Sequence, residues 1–252
     1  MTASAAAPLL EGINVTVRFG GLTAVGDMTL TVNRAQIVGL MGPNGAGKTT
    51  LFNALSGHQS VTSGEIRING VSVTRESAFA RARRGLARTF QLGGLVGDLT
   101  VLENIALGFD HGRRLGHPAL SRSALIAAAR KQLADFGLEE LEFAYAGNLG
   151  AGLRRRVEVA RVMAAGPTLV LLDEPAAGLA HDERDDLARL LTSLRDRGIG
   201  LLVTEHTSDF LFTVADQIVV MNFGRELLHG PADVVRSDQT VLAAYLGGQH
   251  HP

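Results

Sequence analysis

The chain contains no cysteine and no tryptophan, and aromatic residues make up 5% of its 252 residues. The missing cysteines exclude disulfide bonds and thiolate chemistry, which is typical of a protein from a reducing compartment. There is no excess charge of one sign, because 24 lysines and arginines oppose 25 aspartates and glutamates. The net charge of -1 creates no global positive field, so we expect no nucleic acid as the main partner.

Long hydrophobic runs are missing as well, although 46% of the residues are hydrophobic. Nowhere do about 18 apolar residues follow one another without a charge, so the sequence predicts no membrane span. The segment MTASAAAPLLEG has no basic lead and too short an apolar run for a signal peptide. Any role at a membrane is therefore expected to be exercised from its surface, through a partner.

What the chain does have is a set of apolar strand patterns that alternate with helical patterns. Strands are predicted at 13–19, 28–32, 36–41, 169–172, 200–203 and 218–221, and a hairpin at 65–73 turns at Asn69-Gly70. Between about 75 and 161 the pattern is mainly helical, broken by glycine-rich turns at 92–97 and 112–118. The alternation predicts one α/β core with a mostly parallel sheet and helices on both faces, into which a helical lobe is inserted.

The sequence GPNGAGKTT, from Gly42 to Thr50, carries the most specific chemical signal. It fits the pattern G-x-x-x-x-G-K-[ST] and lies between a predicted strand and a predicted helix, which is the context that this motif requires. Its glycines would let backbone N–H groups surround a β-phosphate, Lys48 would neutralise the β- and γ-phosphates, and the Thr49 hydroxyl would bind Mg²⁺. The residues expected to hold the nucleotide here are Asn44, Gly45, Ala46, Gly47, Lys48, Thr49 and Thr50.

Two carboxylates, Asp173 and Glu174, end the apolar strand LVLL. A phosphate-loop hydrolase needs such a second element, with Asp173 in the shell of the Mg²⁺ ion and Glu174 orienting or deprotonating the attacking water. The alternative for Glu174 is a solvated charge at the end of a strand. A phosphate-loop kinase would not need this second acid, so the doublet favours hydrolysis.

Two further side chains are candidates because of where they stand in the sequence. His206 ends the next apolar strand, and since parallel neighbours end on the same edge, its imidazole would donate a hydrogen bond to the γ-phosphate. Gln91 follows ARTF at the seam between core and helical lobe, where its amide can reach Mg²⁺ or the attacking water. For each residue, taken alone, a structural role is the alternative.

The segments GPNGAGKTT, TFQ, LGAGLRRRVEVAR, LVLLDEP, AAGLA and VTEH together resemble, in this order, the motifs of an ATP-binding cassette (ABC) ATPase. The resemblance covers essentially the whole chain and implies a single ABC ATPase domain over 1–252. A P-loop NTPase (RecA-like) core with an N-terminal antiparallel β-subdomain would occupy about 8–91 and 162–252, and a helical subdomain about 92–161.

The same resemblance implies a head-to-tail dimer. Each ATP would lie between the phosphate loop of one subunit and the signature helix of the other, which starts here at Gly150 and Gly152. An aromatic ring would stack on the adenine at the position of Phe19, for which an ordinary core phenylalanine is the alternative.

Longer runs narrow the resemblance. The runs RFGGLTAV, GPNGAGKTTLFNALSG, GLARTFQ and LTVLENI, the long segment between Gly108 and Gly147 and the ending AAYLGG are similar to the ATP-binding subunits of branched-chain amino acid importers. Importers of urea or short amides and a lipid or lipopolysaccharide exporter are the alternatives. Cassette proteins of translation or repair usually carry two cassettes in one chain, which 252 residues cannot contain.

This narrower resemblance has consequences for chemistry and partners. It implies ATP hydrolysis coupled to transport, with ATP and Mg²⁺ at the site. It implies integral membrane permeases as partners, a solute-binding protein that acts indirectly, and a peripheral position on the cytoplasmic face of the inner membrane. The apolar loop 92–99 falls where the family receives a permease helix.

The sequence departs from the family in two places. Gly150 replaces the serine and Leu153 the glutamine of the signature LSGGQ, and Ala180 stands where the family carries Asp or Asn in the D-loop. Both elements act chiefly on the nucleotide of the opposite subunit. We therefore expect a heterodimer with a second ABC ATPase and one weakened ATP site; the alternative is a homodimer in which backbone amides suffice.

A cluster of basic residues precedes Gln91. The sequence favours an ordinary solvated face there, with a basic face that meets anionic headgroups or acidic residues of a permease as the alternative. The cluster consists of Arg81, Arg83, Arg84 and Arg88.

Overall fold

The computed structural model describes residues 7–89, 94–205, 208–239 and 241. A four-stranded antiparallel sheet has the strand order β2-β1-β4-β5. Asn69 and Gly70 have φ values of 51° and 74°, as a two-residue hairpin turn requires, so the predicted hairpin is confirmed. The strands of this sheet are β1 (Leu10–Phe19), β2 (Leu22–Val32), β4 (Ser63–Ile68) and β5 (Val71–Ser72).

A second, six-stranded sheet has the order β10-β9-β3-β8-β7-β6. Its strands are parallel except β10, which forms an antiparallel pair with β9. The sequence patterns did not predict β6, which has three residues, or β10, which follows a tight turn at Phe223 and Gly224. The strands are β3 (Ile37–Met41), β6 (Leu86–Arg88), β7 (Leu169–Asp173), β8 (Gly200–Glu205), β9 (Gln217–Asn222) and β10 (Arg225–Pro231).

The helices lie between these strands and after the last of them. Short 3-10 helices at Glu139–Leu141 and Ala146–Asn148 lead into the fifth α-helix. The α-helices are α1 (Lys48–Ser56), α2 (Ala78–Ala82), α3 (Val101–Arg114), α4 (Arg122–Asp135), α5 (Ala151–Ala164), α6 (His181–Asp196), α7 (Ser208–Val214) and α8 (Ala232–Ser237).

The six-stranded sheet separates two hydrophobic cores. Val170 and Leu172 of β7 belong to the core shared with α3 to α7, whereas Leu169 and Leu171 belong to the core shared with α1 and the antiparallel sheet. Alternate residues of a strand point to opposite faces, so both faces of the sheet are buried. This explains why its strands are continuous apolar runs, and it confirms the predicted α/β fold with a P-loop core and an antiparallel β-unit.

The predicted glycine-rich turn at 112–118 begins too early, because α3 continues to Arg114. An added Cβ at Gly108 would lie 2.2 Å from the carbonyl oxygen of Arg161, and one at Gly112 would lie 3.3 Å from the Cα of Ala165. The two glycines therefore allow α3 to pack closely against α5. Their role is close helix packing, which a single sequence does not distinguish from a turn.

Helices α3, α4 and α5 share one core and correspond to the predicted helical lobe. Helix α5 runs to Ala164 and crosses the predicted boundary at 161, and the division into subdomains stays a prediction. Within the described ranges, no helix combines the length and the apolar character needed to cross a bilayer.

Candidate nucleotide-binding site

The phosphate loop connects the end of β3 to the start of α1. Gly45 and Gly47 have φ values of 79° and 99°, a backbone region that favours glycine. A Cβ at Gly47 would also lie 2.4 Å from the carbonyl oxygen of Ala24, and one at Gly42 would lie 2.3 Å from that of Met221. Gly47 lies where the loop becomes the helix. Its positive φ and the lack of space for a Cβ both require glycine there.

The first turn of α1 begins at Lys48, directly after the loop. The N–H groups of a first helical turn have no carbonyl partner within the helix and carry partial positive charge, which suits a phosphate. The other residues predicted to contact the nucleotide differ in exposure. Asn44, Gly45 and Thr49 are exposed, Thr50 is half-buried and Ala46 is buried.

The ammonium group of Lys48 folds back over the loop. Its Nζ donates hydrogen bonds to the carbonyl oxygens of Gly42 at 2.6 Å and of Pro43 at 3.2 Å. Burial lowers the pKa of Lys48, and the carboxylates of Glu174, Asp173 and Glu205 oppose that shift. The fold therefore places three acidic side chains near the phosphate-loop lysine.

Asp173 is the last residue of β7 and pairs in register with Thr204 of β8. The hydroxyl of Thr204 donates to Asp173 Oδ1 at 2.7 Å, and Arg88 Nη2 donates to Asp173 Oδ2 at 3.1 Å. Asp173 is 4% exposed. Both oxygens of the carboxylate are thus oriented by protein donors, neither of which the sequence patterns had connected with it.

Glu174 follows with a φ of 45°, which is uncommon for a non-glycine residue and costs free energy. Its backbone N–H donates to the carbonyl oxygen and to the hydroxyl oxygen of Thr204, at 3.1 Å each. The neighbouring strand therefore holds the turn at which the second carboxylate of the doublet leaves the sheet.

Glu205 ends β8 and is 1% exposed. Burial first, and then the charge of Glu174, raise the pKa of Glu205 to about 7 against the opposing effects of the Ala176 N–H, Arg184 and Arg155. Glu205 Oε1 accepts a hydrogen bond from the Ala176 N–H at 2.8 Å. The sequence patterns assigned no role to Glu205, although an acid at the end of an apolar strand can be recognised in the sequence as a candidate site residue.

Gln91 and His206 lie outside the described residues. The described chain brings the segments that precede them to the same edge of the sheet as Asp173, because β6, β7 and β8 are parallel neighbours. Phe19 ends β1 and is 48% exposed, so it is not part of the hydrophobic core.

The start of α5, the signature helix, is held by an acid of the same chain. Gly150 is the N-cap residue and offers no side chain, whereas the Gly152 N–H donates to Glu183 Oε1 at 3.0 Å. The other oxygen, Glu183 Oε2, accepts from the Ala180 N–H at 3.0 Å. One carboxylate therefore joins the starts of α5 and α6, while Leu153 remains exposed.

The four arginines that precede Gln91 do not form one exposed face, so both the solvated face and the partner-binding face are wrong for the group as a whole. Arg81 is 1% exposed, and its Nη1 donates to the carbonyl oxygens of Ala54 and Leu55 at 2.6 and 2.7 Å. Arg88 is buried against Asp173, and exposed Arg83 keeps the predicted character. Two of the four charges are structural because they satisfy buried oxygens.

A groove of about 520 Å³ lies beside this cluster, between α2 and β6 on one side and α3 and α5 on the other. Phe79 and Leu107, which are 53% and 43% exposed, line it together with Arg83 and Arg161. The described part of the predicted docking loop, 94–99, does not line this groove. Leu95 of that loop packs against the core.

The donor atoms at the site fit Mg²⁺. Mg²⁺ prefers oxygen ligands and is commonly bound by one or two carboxylates together with substrate phosphates. The hydroxyl of exposed Thr49 and the carboxylate of Asp173 are such donors, and Lys48 lies close to the same acids.

Known proteins resemble the chain over nearly its full length. The model of the ABC transporter family matches residues 25–177. The high-affinity branched-chain amino acid transport ATP-binding protein BraF of Pseudomonas aeruginosa is 38% identical, over 95% of this chain and 98% of that protein. The lipopolysaccharide export system ATP-binding protein LptB of Escherichia coli is 34% identical, over 94% and 97%.

Solved structures with a similar fold are also ATP-binding cassettes of ABC transporters. An ATP-binding cassette of an ABC transporter, solved in its ADP conformation, superposes with a TM-score of 0.86 at 27% identity, over 95% of this chain and 99% of that one. A nucleotide-free cassette gives 0.84 at 26% identity. With a glycine loop at a helix start and a carboxylate doublet at the same edge of the sheet, the chain therefore belongs to the ABC transporter family and is an ATPase that uses ATP and Mg²⁺.

Proposed function

We propose that the chain is the ATP-binding and ATP-hydrolysing subunit of an importer for branched-chain amino acids or a related small solute. The observation that supports this most is the 36–38% identity to the BraF and LivG proteins, which are named as branched-chain amino acid transport ATP-binding proteins. Export of lipopolysaccharide is the alternative with a named relative, LptB, at 34–35% identity. The other alternative is import of urea or a short amide.

In the proposed mechanism, the backbone amides at Gly45 to Thr50 and the ammonium of Lys48 bind the phosphates of ATP. Thr49, Asp173 and Gln91 would hold Mg²⁺, and the ion would neutralise charge on the phosphates of ATP. Phe19, exposed at the end of β1, stacks on the adenine.

Hydrolysis itself is assigned to Glu174 and His206. Glu174 accepts a hydrogen bond from the attacking water and orients it towards the γ-phosphorus. His206 donates a hydrogen bond to the γ-phosphate. The position of Glu174 directly after Asp173, on a turn held by Thr204, supports a role for both carboxylates in one reaction.

The hydrolysis step is tested by Glu174→Gln, which keeps the shape of the side chain but removes its basicity. We expect Mg²⁺-dependent ATP hydrolysis to fall at least about 100-fold while ATP binding persists. Glu139→Gln, at an exposed acid of the helical lobe, is the matched control and should retain wild-type hydrolysis. Full activity of Glu174→Gln would remove Glu174 from the mechanism.

The solute is tested in cells that lack this chain. Uptake of labelled leucine, isoleucine and valine should fall and should return with the wild-type gene but not with Glu174→Gln. Unchanged uptake of these amino acids, together with lost uptake of urea, would favour the amide importer. Defective lipopolysaccharide delivery would favour the exporter.

The partners of an importer subunit are membrane permeases, and we propose that a cytoplasmic helix of a permease enters the groove between α2, β6, α3 and α5. Exposed Phe79 and Leu107 offer apolar contact, and Arg83 and Arg161 favour an acidic residue on that helix. In this proposal the chain lies on the cytoplasmic face of the inner membrane, and the solute-binding protein acts on the other side.

Leu107→Asp tests this docking surface. It should reduce binding to the permeases and solute uptake, and ATP binding should remain at the wild-type level because the phosphate loop is unchanged. Phe143→Asp is a matched control, since Phe143 is 73% exposed and lies outside the groove. Uptake reduced equally by both variants would argue against the groove.

We also propose an asymmetric heterodimer with a second ABC ATPase. The support is the start of α5, where Gly150 has no hydroxyl and the Gly152 N–H is already bonded to Glu183. This chain would supply a complete phosphate loop and a weak signature. ATP hydrolysis should therefore be slow for the purified chain and rise when the second ATPase is added; vigorous hydrolysis by the chain alone would count against asymmetry.

A further inference from the structure

Arg88 has a nearly buried side chain that joins three elements of the core. It ends β6, and the side chains of Arg88 and Asp173 are 9% and 6% exposed. Arg88 Nη1 donates to Asn53 Oδ1 at 2.5 Å and to Ser56 Oγ at 3.1 Å. Its guanidinium carbon lies 4.7 Å from the ring centroid of Phe52. All three of these neighbours belong to α1, the helix that starts at the phosphate loop.

The same guanidinium fixes one oxygen of the metal-binding carboxylate. Arg88 Nη2 donates to Asp173 Oδ2, and Thr204 holds Oδ1 from the other side. A planar guanidinium with several donors is suited to hold one partner while it bonds another, which an ammonium does less well.

Arg88 also lines the groove in which the proposed permease helix would lie. The groove and Asp173 are therefore separated by one side chain. A displacement of β6 from the groove would change the geometry at Asp173 Oδ2 through the charge-assisted hydrogen bond from Arg88 and would be resisted by the contacts with α1.

We propose that Arg88 is a positioning residue that orients Asp173 for Mg²⁺ and carries the state of the groove to the metal-binding carboxylate. The inference rests on the proposed roles of Asp173 and of the groove. Arg88 would act through the carboxylate that it contacts, so its effect should be confined to the part of ATP affinity that depends on Mg²⁺.

The test compares binding of fluorescent ATP with Mg²⁺ and with EDTA for the wild type and Arg88→Gln. We expect Arg88→Gln to weaken binding with Mg²⁺ about tenfold, the usual effect of losing a charged hydrogen bond, and to leave binding in EDTA unchanged. Arg88→Lys should recover part of the loss, because it restores the charge without the planar geometry. Arg113→Gln, at an exposed arginine of α3 outside the groove, should bind as the wild type does in both conditions.

Asn53→Ala is the second variant, for use where Arg88→Gln does not fold. It removes the acceptor of Arg88 on α1 and leaves Asp173 and the phosphate loop unchanged. We expect a smaller loss of the same kind, with Mg²⁺ and not with EDTA. In the double variant Asn53→Ala/Arg88→Lys, the two losses should not add, because both act through one guanidinium.

Equal losses with Mg²⁺ and with EDTA would show that Arg88 is merely structural and would overturn the proposal. Unchanged binding in Arg88→Gln, or in Asn53→Ala where Arg88→Gln does not fold, would overturn it as well. Failure of the wild type to bind ATP would overturn the proposed function instead. If Arg88 carries the state of the groove to the carboxylate, permease binding should change how the ATP affinity of the wild type depends on Mg²⁺. It should not change this dependence in Arg88→Gln.

Discussion

The starts of α1 and α5 are built from glycines in both cases, yet they present their amides differently. At α1, glycines with positive φ lead into the helix and a lysine folds over the loop. At α5, Gly150 has a φ of -62°, and the following Gly152 N–H is bonded to Glu183. The chain thus keeps one helix start suited to an external phosphate and satisfies the other with its own carboxylate.

The side chains that lie opposite a glycine-rich helix start therefore decide whether its amides can bind a phosphate. Helix dipole and first-turn amides are common to both sites. The difference comes from side chains distant in sequence, because Glu183 lies 31 residues from Gly152. Gly150 offers no hydroxyl, and Glu183 already accepts the hydrogen bond of the Gly152 amide. Together these two features would weaken an ATP site at this helix start.

The largest difference in stability and ATP affinity is expected between Gly47→Ala and Gly150→Ala. An alanine at Gly47 combines a φ of 99° with a Cβ 2.4 Å from the Ala24 oxygen. We expect a loss of about 2 to 4 kcal/mol in the free energy of unfolding and at least a tenfold loss of ATP affinity, about 1.4 kcal/mol. Gly150 has open space and a normal φ, so its alanine variant should cost about 1 kcal/mol or less. Urea unfolding and ATP titration of both variants measure this, and equal losses would contradict the comparison.

The next effect concerns Glu205, whose bond to Ala176 anchors the segment that leads from β7 to α6. The pKa of Glu205 is raised to about 7, first by burial, from an ordinary value of 4.5. A raised pKa of an acid means that its contribution to stability is complete below about pH 4.5 and is lost as pH rises to about 7. The free energy of unfolding should therefore fall by up to about 3 kcal/mol across this window.

Glu205→Gln should flatten this pH dependence. The measurement is urea unfolding of the wild type and the variant at pH 5 and pH 8, where the difference between the two proteins should change in favour of the variant. A difference that does not change with pH would mean that Glu205 is ionised throughout.

A smaller effect is expected from Glu183→Ala, which removes the carboxylate shared by α5 and α6. Loss of the capping contacts should cost about 1 kcal/mol in stability. The freed Gly152 amide should favour ATP-dependent dimers about fivefold, the free-energy equivalent of roughly 1 kcal/mol, in a Glu174→Gln background that preserves ATP. Sedimentation with ATP measures the dimer. Asp182→Ala, in the same helical turn, is the control, and identical dimer formation in both variants would argue that Glu183 does not compete with phosphate.

The smallest effect is expected from Gly150→Ser, which adds the missing hydroxyl. A serine in place of glycine at an N-cap should stabilise the chain by a few tenths of a kcal/mol. Hydrolysis by the purified chain should rise by less than about tenfold, since Glu183 still holds the Gly152 amide. Unchanged steady-state hydrolysis would indicate that the substitution is neutral drift.

Local sequence predicted much of this molecule. The phosphate loop, the strand that ends at Asp173 and the Asn69-Gly70 hairpin depend on neighbouring residues, and they were found where the patterns placed them. Strand β6 was missed because three residues carry no period. The segment at Gly108 and Gly112 was read partly as a turn because a glycine needed for close packing looks the same as one needed for a bend.

The sequence by itself determined the chemistry: a phosphate loop, a carboxylate doublet and the ABC family, since these depend on residue types at fixed short spacing. Only the tertiary structure decided which polar groups contact one another. Arg88 meets Asp173 across 85 residues and Glu183 meets Gly152 across 31. Such contacts depend on how strands and helices pack, because burial in the core forces distant polar groups to satisfy one another.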